Sequence, residues 1–282
     1  MLSVVVAACN EEQVIGRCLA DILSGAEPDE LEIVVVCNGC DDRTASIART
    51  FSPPVTVVET SVASKPKALN LADTVATRFP RFYVDADVRV SILDLQKVAK
   101  VLSGGQTLAA APRLEVDLDG RNWIIRVYYH FWLLLPFLHD KFLGPGIYAV
   151  SESGRQAFGS FPEPGGDDRW VTGHFDLAQR RIVAEARFII PAPFTVGDLI
   201  RAKSRHRAHV KFMGDLLTRL PGNPTYGARG VLSVLRKKPY LVLHAFVYMV
   251  IAALAEVRAE WKVMRNDRTW DRVGRGSPGQ FS

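Results

Sequence analysis

The feature that most constrains the fold of this chain is an alternation of two patterns over its first 112 residues. Short apolar segments rich in β-branched residues, typical of strands, lie at 3–8, 31–36, 55–59, 82–85 and 108–112. Segments of helical periodicity occupy 12–24, 67–77 and 92–102, and a further helix begins near Asp42. This alternation is typical of βαβ units. We therefore predict an α/β domain with a mainly parallel sheet flanked by helices.

Polar residues follow three of the predicted strands where those strands end. They are Ala8-Cys-Asn10-Glu11, Cys37-Asn38-Gly39 and Asp85-Ala-Asp87. In α/β sheets, ligands bind at the carboxyl ends of the strands, so we expect these clusters to meet at one edge.

The pair Asp85 and Asp87 is a candidate site for a divalent cation. Two carboxylates at a strand end can share Mg²⁺ or Mn²⁺ with a diphosphate. Aspartate also closes strands and begins turns for structural reasons, and the Asp-x-Asp pattern alone does not separate the two readings.

Two further polar groups bear on the same chemistry. Lys65 and Lys67 precede a predicted helix, and their ammonium groups could reach phosphates, although solvated lysines at a helix start are the alternative. Asp167 and Asp168 follow Gly165-Gly166 and precede a helical segment. An acid there could cap the helix, or it could act as a general base toward a hydroxyl.

The order of five motifs in this chain resembles the inverting family-2 glycosyltransferases. The motifs are 7–12 (AACNEE), 36–42 (VCNGCDD), 65–70 (KPKALN), 85–87 (DAD) and 166–168 (GDD). The resemblance extends over roughly Val4 to Arg207 and implies a GT-A, Rossmann-like fold. It also implies a reaction that moves a sugar from a nucleotide-sugar donor to an acceptor.

The resemblance assigns roles to individual residues. It implies that Asp87 ligates Mg²⁺ or Mn²⁺ and that Asp85 contacts the ribose or the metal, while Lys65 lies near the nucleotide. Asp168 matches the family's catalytic base, and Asp167 is adjacent to it. Ala8, Asn10, Glu11 and Asn38 would lie beside the nucleoside, and His174 would reach the metal, although a core or solvent-facing histidine is the alternative.

Two motifs depart from the family pattern. Cys37 stands where many members carry the acid that pairs with uracil, and a thiol is not a strong charged acceptor, which puts UDP as the carrier in doubt. The Gln-x-x-Arg-Trp motif of processive members is replaced by 201–207 (RAKSRHR). Arg205 and Arg207 could still offset diphosphate charge, but processive polymerisation is not supported.

The second half of the sequence is richer in aromatic, apolar and basic residues. Tyr240–Ala255 is apolar except for His244, and it is shorter than the ~20 residues that cross a bilayer. This segment could form a membrane-associated helix or a core helix. The same two alternatives apply to the aromatic segment Trp123–Phe142. We expect a nucleotide-binding half at 1–112, an acceptor half at 113–195, and a basic, hydrophobic helical extension at 196–282.

Charge and cysteine content narrow the functional classes. A net charge of +5 suits an anionic partner, but no nucleic-acid-binding module is present. We expect a lipid-linked or glycan acceptor at a membrane surface, with the enzyme peripheral or single-pass on the cytoplasmic side, since no secretory signal precedes the four cysteines. A non-catalytic nucleotide- or lipid-binding protein remains an alternative. So does a nucleotidyltransferase, although 7–13 lacks the Gly-rich phosphate loop.

Overall fold

The computed structural model describes residues 1–139, 143–163, 165–218, 220 and 228–267. Contacts divide these residues into two compact units. The first unit contains 1–115, 143–163, 165–190 and Leu220, and the second contains 116–139, 191–218 and 228–267. The predicted boundary at 195 and the expected extension 196–282 therefore do not coincide with the division by contacts, and parts of that extension lie outside the described residues.

The first unit is built on a seven-stranded sheet with the order β3-β2-β1-β4-β6-β5-β7. The strands are β1 Leu2–Ala8, β2 Leu31–Asn38, β3 Val55–Thr60, β4 Arg81–Asp85, β5 Ala109–Asp117, β6 Ile147–Val150 and β7 Arg180–Pro191. Strands β1 to β4 pair in parallel, whereas β6 runs antiparallel to both β4 and β5. The predicted α/β sheet is confirmed, and β6 and β7 are additional to the five predicted strands.

Helices cover both faces of the sheet. In the first unit they are α1 Ile15–Leu23, α2 Thr44–Arg49, α3 Lys65–Val75 and α4 Ile92–Leu102, with α7 Glu152–Gln156 and α8 Asp167–Gly173 later in the chain. Alternate strand residues supply two separate apolar clusters: Val4, Val6 and Ile33 join one, and Val5 and Val34 join the other. Because the central strands are buried on both faces, they are apolar throughout.

Helix α3 begins earlier than the sequence indicated. The side chain of Ser64 caps it by accepting a hydrogen bond from the backbone N–H of Lys67 at 3.2 Å. Lys65 and Lys67 therefore lie within the first turn rather than before the helix, as the sequence analysis had placed them. This places the Lys65 side chain at the end of the helix that faces the carboxyl ends of β1 and β4.

The second unit is helical. It contains α5 Trp123–Trp132, α6 Pro136–His139, α9 Val196–Thr218, α10 Ala228–Lys237 and α11 Val242–Met264, with a 3₁₀ turn at Pro239–Leu241. Helix α11 continues past the predicted end at Ala255 and packs against α5 and α9. Within the described residues, Pro239–Met264 is the one helical stretch whose length and composition would allow it to cross a membrane.

Candidate functional site

The two aspartates at the end of β4 share one side of a tight turn. The backbone N–H of Val88 donates to the carbonyl of Asp85 at 3.0 Å and closes the turn. Ala86 and Val88 are buried beneath it, whereas Asp85 and Asp87 are only half-buried. Buried and half-buried residues therefore alternate along the turn. The buried ones fix the turn to the apolar core, and both carboxylates lie at the edge of the sheet.

Lys65 joins the strand-end aspartates to the later acidic pair. Its Nζ lies 2.6 Å from Oδ1 of Asp85 and 3.0 Å from Oδ1 of Asp167. The two carboxylates raise the pKa of Lys65 above its usual range although burial opposes this shift. A single ammonium group thus links residues that are 20 and 102 positions away in the sequence.

Asp167 and Asp168 open helix α8 after Gly166, a residue with φ of 89°. Asp167 is buried, and its Oδ2 accepts a hydrogen bond from the hydroxyl of Tyr148 at 3.1 Å. The residue before the helix, Gly166, has no side chain that could cap it, but Oδ1 of Asp168 accepts a hydrogen bond from the backbone N–H of Arg169 in the first turn at 2.8 Å. Tyr148 was not identified from the sequence. In the sequence it is one tyrosine in a short apolar segment, and nothing there distinguishes it from an ordinary core tyrosine.

The environment of Asp168 differs from that of Asp167. Burial first, and then the negative charge of Asp167, raise the pKa of Asp168 to about 6. Gly144, which has a φ of +115°, lies against it, and a Cβ at that position would come within 2.8 Å of the Asp168 Cβ. A carboxyl group with this pKa is suited to exchange protons near neutral pH.

The loop after β1 is braced against the loop after β2. Oδ1 of Asn10 accepts from the N–H of Asp41 at 2.8 Å, and the N–H of Glu11 donates to Oγ1 of Thr44 at 2.8 Å. The Asn38 amide, in the orientation that satisfies its neighbours, donates to the carbonyl of Ala8 at 3.0 Å and accepts from the N–H of Ser64 at 3.3 Å. These bonds hold the ends of β1 and β2 and the start of α3 together.

Cys37 is buried at the end of β2, beside an open cleft. The cleft is lined by Cys37, Gly39, Cys40, Glu59, Thr60 and Ser61. Burial raises the pKa of the Cys37 thiol to about 12, so the thiol is neutral and supplies no anionic acceptor. Glu59, which pairs with Cys37 in the register of β2 and β3, contributes the carboxylate of this lining and was missed in the sequence.

Three predicted residues have other partners or lie in the other unit. Nδ1 of His174 lies 2.7 Å from the carbonyl of Trp170, and the ring packs against Trp170 and Phe158. Arg205 and Arg207 belong to α9 in the second unit, where Arg207 forms an ion pair with Glu256. Among the described residues, no three His, Cys, Asp or Glu side chains form a group that could hold a metal ion.

Comparison with solved structures identifies the fold. The mannosyltransferase PcManGT from Pyrobaculum calidifontis, solved with GDP-Man and Mn²⁺, is 21% identical with a TM-score of 0.61, covering 92% of this chain and 75% of that one. Glucosyl-3-phosphoglycerate synthase from Mycobacterium tuberculosis, solved with Mn²⁺, UDP and phosphoglyceric acid, is 21% identical with a TM-score of 0.56 and 80% coverage of each chain. S. aureus TarS is 16% identical with a TM-score of 0.52, covering 83% of this chain and 42% of TarS. The predicted GT-A fold is confirmed.

Comparison of sequences identifies the family. No curated protein matches the chain significantly. The family model described as glycosyl transferase family 2 matches residues 3–156, which includes the strand-end clusters and Lys65. The chain belongs to glycosyl transferase family 2.

Proposed function

We propose that this chain is an inverting glycosyltransferase that moves a sugar from a nucleoside diphosphate sugar to a hydroxyl acceptor. The observation that carries the proposal is the bridge from Asp85 through Lys65 to Asp167, next to Asp168. The bridge connects Asp85, on the side of the leaving diphosphate, to Asp167, the neighbour of the residue that would activate the attacking hydroxyl. Such a reaction needs assistance at both ends.

On the donor side, Asp87 together with Asp85 would hold Mg²⁺ or Mn²⁺. Magnesium is commonly bound by one or two carboxylates plus substrate phosphates and water, so two hard oxygen donors without a third protein ligand fit such an ion. When bound, the ion supplies positive charge against the leaving diphosphate. The Mn²⁺ in the mannosyltransferase and synthase structures supports this assignment.

The nucleoside would lie along the ends of β1 and β2. Ala8, Asn10 and Glu11 would line one side and Cys37 and Asn38 the other, while Lys65 faces the phosphates. Asn38 supports this surface because it fixes the carbonyl of Ala8 to the start of α3.

On the acceptor side, Asp168 would take the proton of the attacking hydroxyl as general base. Its raised pKa keeps it close to the operating range of a base. Asp167 holds Lys65 at 3.0 Å and is a positioning residue in this scheme. Attack from the side opposite the diphosphate would invert the anomeric centre.

Calorimetric titration with UDP, GDP, CDP and dTDP, each with Mn²⁺ and with EDTA, tests the donor assignment. We expect one nucleotide to bind, and only with metal. The Asp87→Ala variant should bind that nucleotide at least tenfold more weakly in the presence of metal, because one of the two protein ligands of the metal is gone. Equal affinity with and without metal in the parent chain would contradict the role of Asp87. No binding to any nucleotide would favour a non-catalytic protein.

For the acceptor, we propose a lipid-linked or cell-envelope glycan, reached on the cytoplasmic side of the membrane. The apolar stretch Pro239–Met264 and the basic residues around it support this location. Transfer to a lipid-extracted acceptor fraction, compared with transfer to water-soluble acceptors such as phosphoglycerate, tests the assignment. Activity restricted to the soluble acceptors would overturn it.

A further inference from the structure

Helix α11 presents a long row of exposed apolar side chains. Along the helix these are Val242, Leu243, Phe246, Met249, Val250, Leu254, Val257, Trp261 and Met264. They are one, three or four residues apart, and at about 100° per residue they all fall on one side of the helix, over about 33 Å at a rise of 1.5 Å per residue. Patches of this size on a soluble surface mark sites of interaction. We name these nine residues the α11 row.

The opposite side of α11 is already packed within the second unit. Ala245, Ala255 and Ala259 are fully buried. Tyr248 stacks on Tyr128 of α5 with ring centroids 5.5 Å apart. Because α11 packs on α5 and α9 through this opposite side, the α11 row is not the surface that contacts those two helices.

Ion pairs with α9 exclude the bilayer centre for α11. Lys211 of α9 lies 2.7 Å from Glu256 and also pairs with Glu260, and Arg207 pairs with Glu256. Helix α9 carries further basic residues at positions 201, 203 and 205. Charged side chains at the middle of a bilayer are costly, so a helix that packs along α9 cannot span the membrane in this arrangement.

Basic residues lie at both ends of the α11 row. Arg236 and Lys237 are exposed at the end of α10, just before α11, and Arg265 is exposed just after it. The guanidinium of Arg265 lies 3.9 Å from the ring centroid of Trp261. Tryptophan and basic residues at the borders of an apolar surface suit the boundary between headgroups and acyl chains, and the positive charges select anionic lipids.

We propose that α11 lies in the plane of an anionic membrane, with the α11 row inserted among the headgroups and upper acyl chains and α9 on the aqueous side. This assigns the chain as monotopic rather than single-pass. The inference rests on the second unit alone and does not depend on the nucleotide chemistry of the first. The exposed apolar row supplies insertion, and the basic residues at its ends supply the preference for anionic headgroups.

Vesicle co-sedimentation of the full chain tests the proposal. We expect binding to vesicles that contain phosphatidylglycerol and much weaker binding to phosphatidylcholine alone. The double variant Phe246→Ser/Leu254→Ser should lose at least tenfold in affinity. The matched control is Leu93→Ser/Leu177→Ser, whose leucines are 62% and 56% exposed in the first unit, and it should bind as the parent does. Circular dichroism would establish that both variants remain folded.

Three results would overturn the proposal. The first is that the parent chain binds neither kind of vesicle. The second is that the two ends of α11 are accessible from opposite sides of the vesicle bilayer, as the ends of a spanning helix would be. The third is that Phe246→Ser/Leu254→Ser abolishes self-association of the parent without changing lipid binding, which would assign the row to a second copy of the chain. Nucleotide titration of the same samples keeps these outcomes separate from a failure of the proposed transferase function.

Discussion

Asp168 must be ionised to accept a proton, and its surroundings oppose ionisation. The pKa of about 6 places the change in charge within an accessible pH range. We expect kcat/KM to fall about tenfold per pH unit below this pKa, because only the deprotonated carboxylate is a base. A pH profile of transfer, with donor binding measured in parallel, checks this. A flat profile between pH 5 and pH 7 would contradict the assignment.

The same raised pKa has a consequence for stability. An acid that is harder to ionise in the folded state stabilises the fold while it is protonated, and it loses that contribution as the pH rises through the folded pKa. At pH 7.5, Asp168→Asn should therefore unfold at a higher urea concentration, with a gain of roughly 1–2 kcal/mol. It should bind donor but not transfer sugar. A loss of stability, or of donor binding, would argue against this account.

Two properties make a side chain unfavourable at Gly144: its backbone conformation and its contact with Asp168. Its φ of +115° disfavours any side chain, and a Cβ there would press against Asp168. Gly105 has a φ of +77° and open space around it, so Gly105→Ala is a control for backbone strain alone. We expect Gly105→Ala to lose about 1 kcal/mol of stability through backbone strain and Gly144→Ala to lose more because of the added clash, and only Gly144→Ala to lose tenfold or more in kcat. Equal kcat values would mean that Asp168 is not held by this contact.

Single residues were predictable where they belong to a local sequence motif. They were not predictable where their role depends on a contact with a residue far away in the sequence. Asp85, Asp87 and Asp168 were picked out because acids follow strands or glycines in a known order. The bond from Lys65 to Asp167 joins positions 102 residues apart, and no local pattern encodes it. Glu59 was missed for the same reason, since its place beside Cys37 follows from the register of β2 and β3.

At the scale of elements, α3 connects the carboxyl ends of β1 and β2 to the segment before α8. Asn70 on α3 donates to the carbonyl of Phe161 at 3.0 Å and accepts from its N–H at 2.8 Å. Asn70→Ala would leave both backbone groups without this partner, at a cost of roughly 1–3 kcal/mol. Urea unfolding measures the loss, with Thr74→Ala, an exposed hydroxyl on the same helix, as control. Equal stability of the two variants would contradict this role of Asn70.

The elements of the βαβ part were predictable because their periods are regular. β6 and β7 were not predicted. β6 has only four residues, and β7 carries arginines at 180, 181 and 187 among its apolar positions. The end of α11 was also missed, because Glu256 and Glu260 interrupt the apolar run while they pair with α9. In each case a tertiary partner decides the element.

At the scale of the whole molecule, we expect that the first 195 residues do not fold on their own. α5 lies within them, but its aromatic side chains Tyr128 and Phe131 pack on Tyr248 of α11. A fragment of residues 1–195 should therefore expose this surface and aggregate, or bind the dye ANS when kept in solution. A soluble fragment with a single sharp unfolding transition and nucleotide affinity like that of the full chain would show the opposite.

The division of the chain was not predictable from its composition. The sequence changes character near residue 113, but contacts assign 116–139 to the helical unit and return 143–190 to the sheet, with a gap at 164 in the described residues. Composition reports where apolar residues are, and it does not report which of them meet. The predicted division into a catalytic domain and a C-terminal extension therefore follows the order of residues in the sequence and not the contacts between them.

This interleaving also bears on how such a gene can change. A domain added at one end of a chain can be exchanged by one recombination event. Here the codons for the helical unit are split by those for β6, α8 and β7, so a single crossover within that region would divide both units. Exchange of either unit as an intact module would therefore require more than one crossover.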